Sequence, residues 1–141
     1  MKNIKHSHLD QITDPFVKLD SIVKILRGSQ GCPWDKKQTA VTLVKYLREE
    51  TTELIEAIET GSNDCICEEI GDVFLILILL TNVYEEKALF TVQDALHSIC
   101  AKMIRRHPHV FADEECHNEE ELRQLWERIK SEEKRTKQEL P

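Results

Sequence analysis

The stretch from Val73 to Leu80 limits this chain most: eight apolar residues run without a break, directly after Glu69 and Asp72. At helical spacing, Glu69, Asp72, Ile76, Leu79 and Val83 fall in one stripe, so two acids lead straight into an apolar seam. The rest of the run is apolar on nearly every side, which marks a helix at the centre of a bundle. Asn63 or Asp64 is placed to cap it, and it reaches to about Glu85. A buried strand over 73–80 is the competing reading. The helical period extends beyond strand length, however, and the chain offers no partner strands. The run is also far too short to span a membrane.

Carboxylates that enter a core lose hydration and are rarely buried unless paired or metal-bound. A second acidic pair, Glu50 and Glu53, lies in another predicted helix, from about Thr39 to Glu59 with Gly61 as its stop. Leu43, Leu47, Leu54 and Ile58 form its apolar stripe. With Leu47 at zero and ~100° per residue, Glu50 falls at about −60° and Glu53 at about −120°, on one flank of that stripe. Glu49 and Glu56 fall on the far side. Taken alone, Glu49-Glu50-Thr51-Thr52-Glu53 reads as a solvated acidic face. The pair at Glu69 and Asp72 argues otherwise, because neighbouring antiparallel helices would bring both pairs to one place. Each like-charge contact at ~5 Å costs roughly 3 kcal/mol at an effective dielectric of ~20. A divalent cation held by oxygen ligands is the simplest remedy.

The remaining elements are also helical. Thr13-Asp14-Pro15 starts one helix, carrying Phe16, Leu19, Ile22, Val23 and Leu26, and Gly28 and Gly31 end it before a loop through Asp35. Thr91 opens another, with Val92, Ala95, Leu96, Ile99 and Met103 inward, ending near His107-Pro108. Asn118, followed by three glutamates, caps a last helix with Leu122, Leu125, Trp126 and Ile129 inward. The expected architecture is all-α, a bundle of four to five helices in a single domain over 1–141. Its core covers about 14–133, with mobile ends at 1–13 and 134–141, and the charged tail fraying from Ser131. A net charge of −7 argues against long nucleic acids as partners. The five cysteines are odd in number and show no disulfide framework, which suits free thiols in a reducing cytoplasm. Residues 1–14 lack the apolar region of a signal peptide.

The ligand chemistry narrows the metal. Di-iron bundles add Glu-x-x-His pairs to their facing carboxylates, and neither acidic helix has one. Asp94-x-x-His97 has no second copy, and an acid in a first helical turn is explained by the helix dipole. An all-oxygen set favours Mg²⁺, with Mn²⁺ as a substitute. Lys102, Arg105, Arg106, His107 and His109 form a basic group that reads either as helix C-terminal cations or as a phosphate clamp. Lys102 and Arg106 share a face, as do Trp126 and Lys130. Trp126 reads as core or as a base stacker. Trp34, in a short Gly/Pro loop, is harder to explain as core. Together these features suggest a nucleotide polyphosphate, without a P-loop.

Five motifs in order carry a family resemblance: Gly31-Cys-Pro-Trp-Asp35 with Gln38-Thr39, Glu49-Glu50-x-x-Glu53, Glu69-Ile-Gly-Asp72, Arg105-Arg-His-Pro-His-Val-Phe111 and Trp126-x-x-x-Lys130. From Phe16 to Glu133 the chain resembles MazG-type nucleoside triphosphate pyrophosphohydrolases. The resemblance implies an all-α fold that forms homodimers or higher oligomers. It also implies Mg²⁺-dependent hydrolysis of a nucleoside triphosphate to monophosphate and pyrophosphate. It assigns Glu50, Glu53, Glu69 and Asp72 to the metal and Lys102, Arg106, Trp126 and Lys130 to the nucleotide, with Glu49 as a helper that orients or deprotonates water. The alternative from another class is a non-catalytic helical module that binds a nucleotide or alarmone.

Overall fold

The computed structural model describes residues 6–140. What the sequence suggests for residues 1–5 and 141 lies outside the described residues. Seven α-helices follow a short 3-10 segment, and no strand occurs among the described residues: α1 (Pro15–Arg27), α2 (Pro33–Lys37), α3 (Ala40–Thr60), α4 (Asn63–Glu85), α5 (Val92–Arg106), α6 (Pro108–Phe111) and α7 (Glu119–Glu139). The helices fall into two compact units, one ending at Val92 and the other starting at Gln93.

In the first unit the helix starts follow from side-chain caps. Asp14 accepts from the amides of Phe16 and Val17 at 2.8 and 3.0 Å, with Pro15 at the first helical position. Thr39 and Thr42 exchange side-chain and backbone bonds in a capping box. Ser62, rather than Asn63 or Asp64, caps α4, its hydroxyl accepting from the Cys65 amide. Gly61 at φ 80 lets α3 turn back within two residues, so α3 and α4 pair as a hairpin. α1 packs on α4, and α2 on α1.

The segment 73–80 is helical, which removes the strand alternative. Its Ile76, Ile78 and Leu79 join Val23, Leu43, Val83 and Val92 in the core. Asn82, buried among them, is satisfied: its amide donates to Asp20 Oδ1 and to the Ile78 carbonyl, both at 2.9 Å. Not all of the run is covered, because Phe74 and Leu77 remain exposed.

On α3 the buried face is turned from the one the leucine stripe suggests. Ala57 is 7% exposed and Ile58 57%. Ala57 sits at about −80° on the wheel and Ile58 at about +20°. The small residue fits where α3 closes on α4, and the larger one is left outside. The rotation carries Glu50 towards the middle of the buried side.

In the second unit the described core is small: Leu125 and Ile129 are its buried apolar residues. Leu96, Ile99 and Met103, which the sequence pattern turns inward, are exposed along α5. Asn118 caps α7 as expected, accepting from the Glu121 amide at 3.0 Å. The helix runs to Glu139, well past Ser131, where the sequence suggests fraying. Arg105 and Arg106 of α5 both reach Glu133 of α7, at 2.7 and 2.9 Å. The two guanidinium groups hold its carboxyl well below the usual 4.5, down to about 2. Its contribution to stability is therefore present above pH 4.5 and is lost as pH falls towards 2. Glu133→Gln is expected to lower the melting temperature at pH 6 but not at pH 2; a deficit that persists at pH 2 would contradict the ion-pair origin.

Candidate functional site

Glu50 of α3 and Glu69 and Asp72 of α4 converge: one carboxylate oxygen from each lies within 4.8 Å of the others, and all three residues are partly buried. Helical spacing puts Glu69 and Asp72 on the same row, and the rotation of α3 brings Glu50 to meet them. Glu53, one turn beyond Glu50, is exposed and outside this trio. It is still near enough for its charge to act on both Glu50 and Glu69. Burial, followed by the charges of Glu53 and Asp72, pushes the carboxyls of Glu50 and Glu69 above the ordinary 4.5. One oxygen of Glu69, Oε2, is buried with no hydrogen-bond partner among the described residues. An orphaned carboxylate oxygen within a trio of acids is what a bound cation would satisfy, and an all-oxygen donor set suits a hard divalent ion.

Glu49 is half exposed and lies 3.7 Å from Lys45. Trp34 stands on α2, its ring against Tyr46 of α3 with centroids 5.2 Å apart. Tyr46, which no sequence motif marks, lies four residues before Glu50 and hence on the same side of α3.

The other expected substrate residues belong to the second unit. Lys102 and Arg106 lie four apart on α5, both partly buried, and Arg106 is engaged by Glu133. Trp126 is partly buried, its ring 5.8 Å from that of His107, and Lys130 is exposed. Trp126 Nε1 and His109 Nδ1 are buried without hydrogen-bond partners among the described residues. His107 Nδ1 is 2.7 Å from the Met103 carbonyl.

An all-α hairpin whose facing helices converge three acids defines a carboxylate-type candidate metal centre. The family model for the MazG nucleotide pyrophosphohydrolase domain matches residues 38–111, which include all four predicted metal-binding acids. The chain belongs to the MazG nucleotide pyrophosphohydrolase domain family. It is 46% identical over 121 residues to the protein YabN of Bacillus subtilis, covering 86% of this chain and 25% of that one. It is 43% identical over 119 residues to the nucleoside triphosphate pyrophosphohydrolase/pyrophosphatase MazG of Thermotoga maritima, covering 84% of this chain and 45% of that one. It thus spans between a quarter and about half of the length of these relatives. The crystal structure of a mazG-related protein from Thermotoga maritima superposes with a TM-score of 0.69 at 28% identity, over 82% of this chain and 98% of that one. No helix among the described residues is long and apolar enough to cross a membrane.

Proposed function

We propose that the chain hydrolyses a nucleoside triphosphate, ribo- or deoxyribo-, between its α and β phosphates, releasing the monophosphate and pyrophosphate. The observation that carries this reading is the trio of Glu50, Glu69 and Asp72, one member of which, Glu69, also has a buried carboxylate oxygen without a hydrogen-bond partner among the described residues. Family membership supports the reaction class. Glu50, Glu69 and Asp72 would hold the cation, Mg²⁺ or Mn²⁺, with Glu53 as a further ligand beside them. When bound, such an ion lowers the pKa of a coordinated water and neutralises charge developing on the phosphate. Glu49, beside this set and half exposed, is assigned to orient the attacking water or take its proton. Lys102 and Arg106 are assigned to the phosphates, and Trp34, Trp126 and Lys130 to the rest of the nucleotide.

Self-association belongs to the same proposal. Val44, Ile55 and Ile58 of α3 and Ile70, Phe74 and Leu77 of α4 leave apolar surface exposed. A second copy covering it would make a homodimer or a higher oligomer. The cytoplasm is the proposed location, where free thiols such as these stay reduced.

Calorimetric titration with Mn²⁺ tests the metal assignment. Saturable uptake is expected for the native chain and its loss for the variant combining Glu50→Gln, Glu69→Gln and Asp72→Asn. Equal uptake by both would sink the assignment. Saturable nucleotide binding without turnover of any triphosphate would favour a non-catalytic binding module instead.

A further inference from the structure

Trp34 is 45% exposed, yet the segment carrying it is fixed from several sides. The Arg27 side chain is 7% exposed and donates to the carbonyls of Asp35 and Gln38 at 2.6 and 3.1 Å, while its other nitrogens hold Glu86 at 2.7 and 2.8 Å. The buried Gln38 donates to the Trp34 carbonyl at 3.0 Å and accepts from the Thr42 hydroxyl at 2.8 Å. Gly31 passes so close to the end of α1 that a Cβ there would lie 2.1 Å from the Leu26 carbonyl oxygen. A large apolar ring left half in water on a segment held this firmly is poorly explained by packing alone, since rigid aromatic anchors are what ligand sites use.

The ring beside it points the same way. Tyr46 is partly buried and packs against the core, so its position is set by the bundle. The two rings meet at 73°, forming a corner rather than a parallel stack. Tyr46 precedes Glu50 by one helical turn on the same face, about 5–6 Å between Cβ atoms. Within one compact unit, Tyr46 thus lies on the side of α3 that carries Glu50, and Trp34 packs edge-on against it. The polar side chains behind the corner, Arg27, Gln38 and Thr42, are engaged by the segment's own hydrogen bonds.

We propose that Trp34 and Tyr46 together form the nucleobase corner of this site, and that it recognises bases by stacking. Stacking on an aromatic ring is tolerant of base identity because every base has a π-face. The corner therefore accepts purines and pyrimidines alike and discriminates nucleotides from bare polyphosphate. This inference rests on the triphosphate reading of the acid site.

The test is a binding titration of the full chain with Mg²⁺, using α,β-methylene nucleoside triphosphates of a purine and a pyrimidine, and inorganic tripolyphosphate. These probes are read without turnover, so failure of the hydrolytic reading does not obscure the result. Trp34→Ala and Tyr46→Leu are each expected to weaken both nucleotides by about tenfold or more. Tripolyphosphate should stay within about twofold, and Tyr46→Phe should keep nucleotide affinity. Since Trp34 is half exposed, its variant is read without concern for folding. Unchanged nucleotide affinity in Trp34→Ala, or a parallel loss of tripolyphosphate, would overturn the corner. Tripolyphosphate binding by the native chain that nucleosides do not strengthen would overturn it while leaving the acid site in place.

Discussion

Glu69→Gln is expected to lower kcat/KM by on the order of 10³, as loss of a central electrostatic group in a catalytic site does, while raising the melting temperature of the metal-free protein. The two effects share one cause. Burial and the neighbouring charges of Glu53, Asp72, Glu68 and Glu50 hold the Glu69 carboxyl above its ordinary value, so ionising it works against the fold. For a raised carboxyl, stability is fully present below the unfolded value of 4.5 and is lost as pH rises through the folded one. The variant avoids that loss at position 69, so its advantage should be absent at pH 4 and present at pH 8. Added Mn²⁺ should reverse the order. A site filled to 100 times its Kd stabilises the native chain by about 2.7 kcal/mol, and the variant, missing one ligand, should gain much less. Thermal unfolding at both pH values, with and without Mn²⁺, reads all four corners. Equal Mn²⁺ stabilisation of both proteins would remove Glu69 from the metal site.

Leu79→Ala should cost about 2–5 kcal/mol, the range for emptying a large buried aliphatic site. Leu79 is 1% exposed and packs with Val23, Leu43, Ile76, Ile78 and Val83. Domains of this kind have only about 5–15 kcal/mol in total, so the urea midpoint should fall steeply. Phe74→Ala on the same helix, 46% exposed, is the matched control and should cost far less. Leu79 lies on the row that begins with Glu69 and Asp72, so α4 anchors the core with one end and presents ligands with the other. Activity per folded molecule should therefore survive the substitution at low temperature. If Phe74→Ala costs as much as Leu79→Ala, the burial pattern drawn for α4 is wrong.

The convergence of Glu50, Glu69 and Asp72 was legible because two signals agree. Carboxylates at helical spacing next to the most apolar run of the chain have no ordinary explanation, and periodicity alone shows that they share a face. The exact register of α3 was not legible. A leucine stripe marks Ile58 as inward, but close approach to α4 selects Ala57, and the choice depends on the partner helix. The short α2 was hidden because Gly31 and Pro33 punctuate like a loop, although proline at a first helical position is also a start signal. The pairing of Arg105 and Arg106 with Glu133 joins residues far apart in sequence, which periodicity does not register. The contact between Tyr46 and Trp34 joins a helix to the short element before it, which periodicity does not register. Leu96, Ile99 and Met103 of α5 read as inward by pattern, yet nothing among the described residues buries them.

Hydrolysis of a nucleoside triphosphate in ¹⁸O-labelled water, with Mg²⁺ and mass analysis of the products, tests the central claim most directly. Water activated beside Glu50, Glu69 and Asp72 and attacking the α phosphorus predicts labelled monophosphate and unlabelled pyrophosphate. Label in inorganic phosphate, accompanied by a diphosphate, would contradict it.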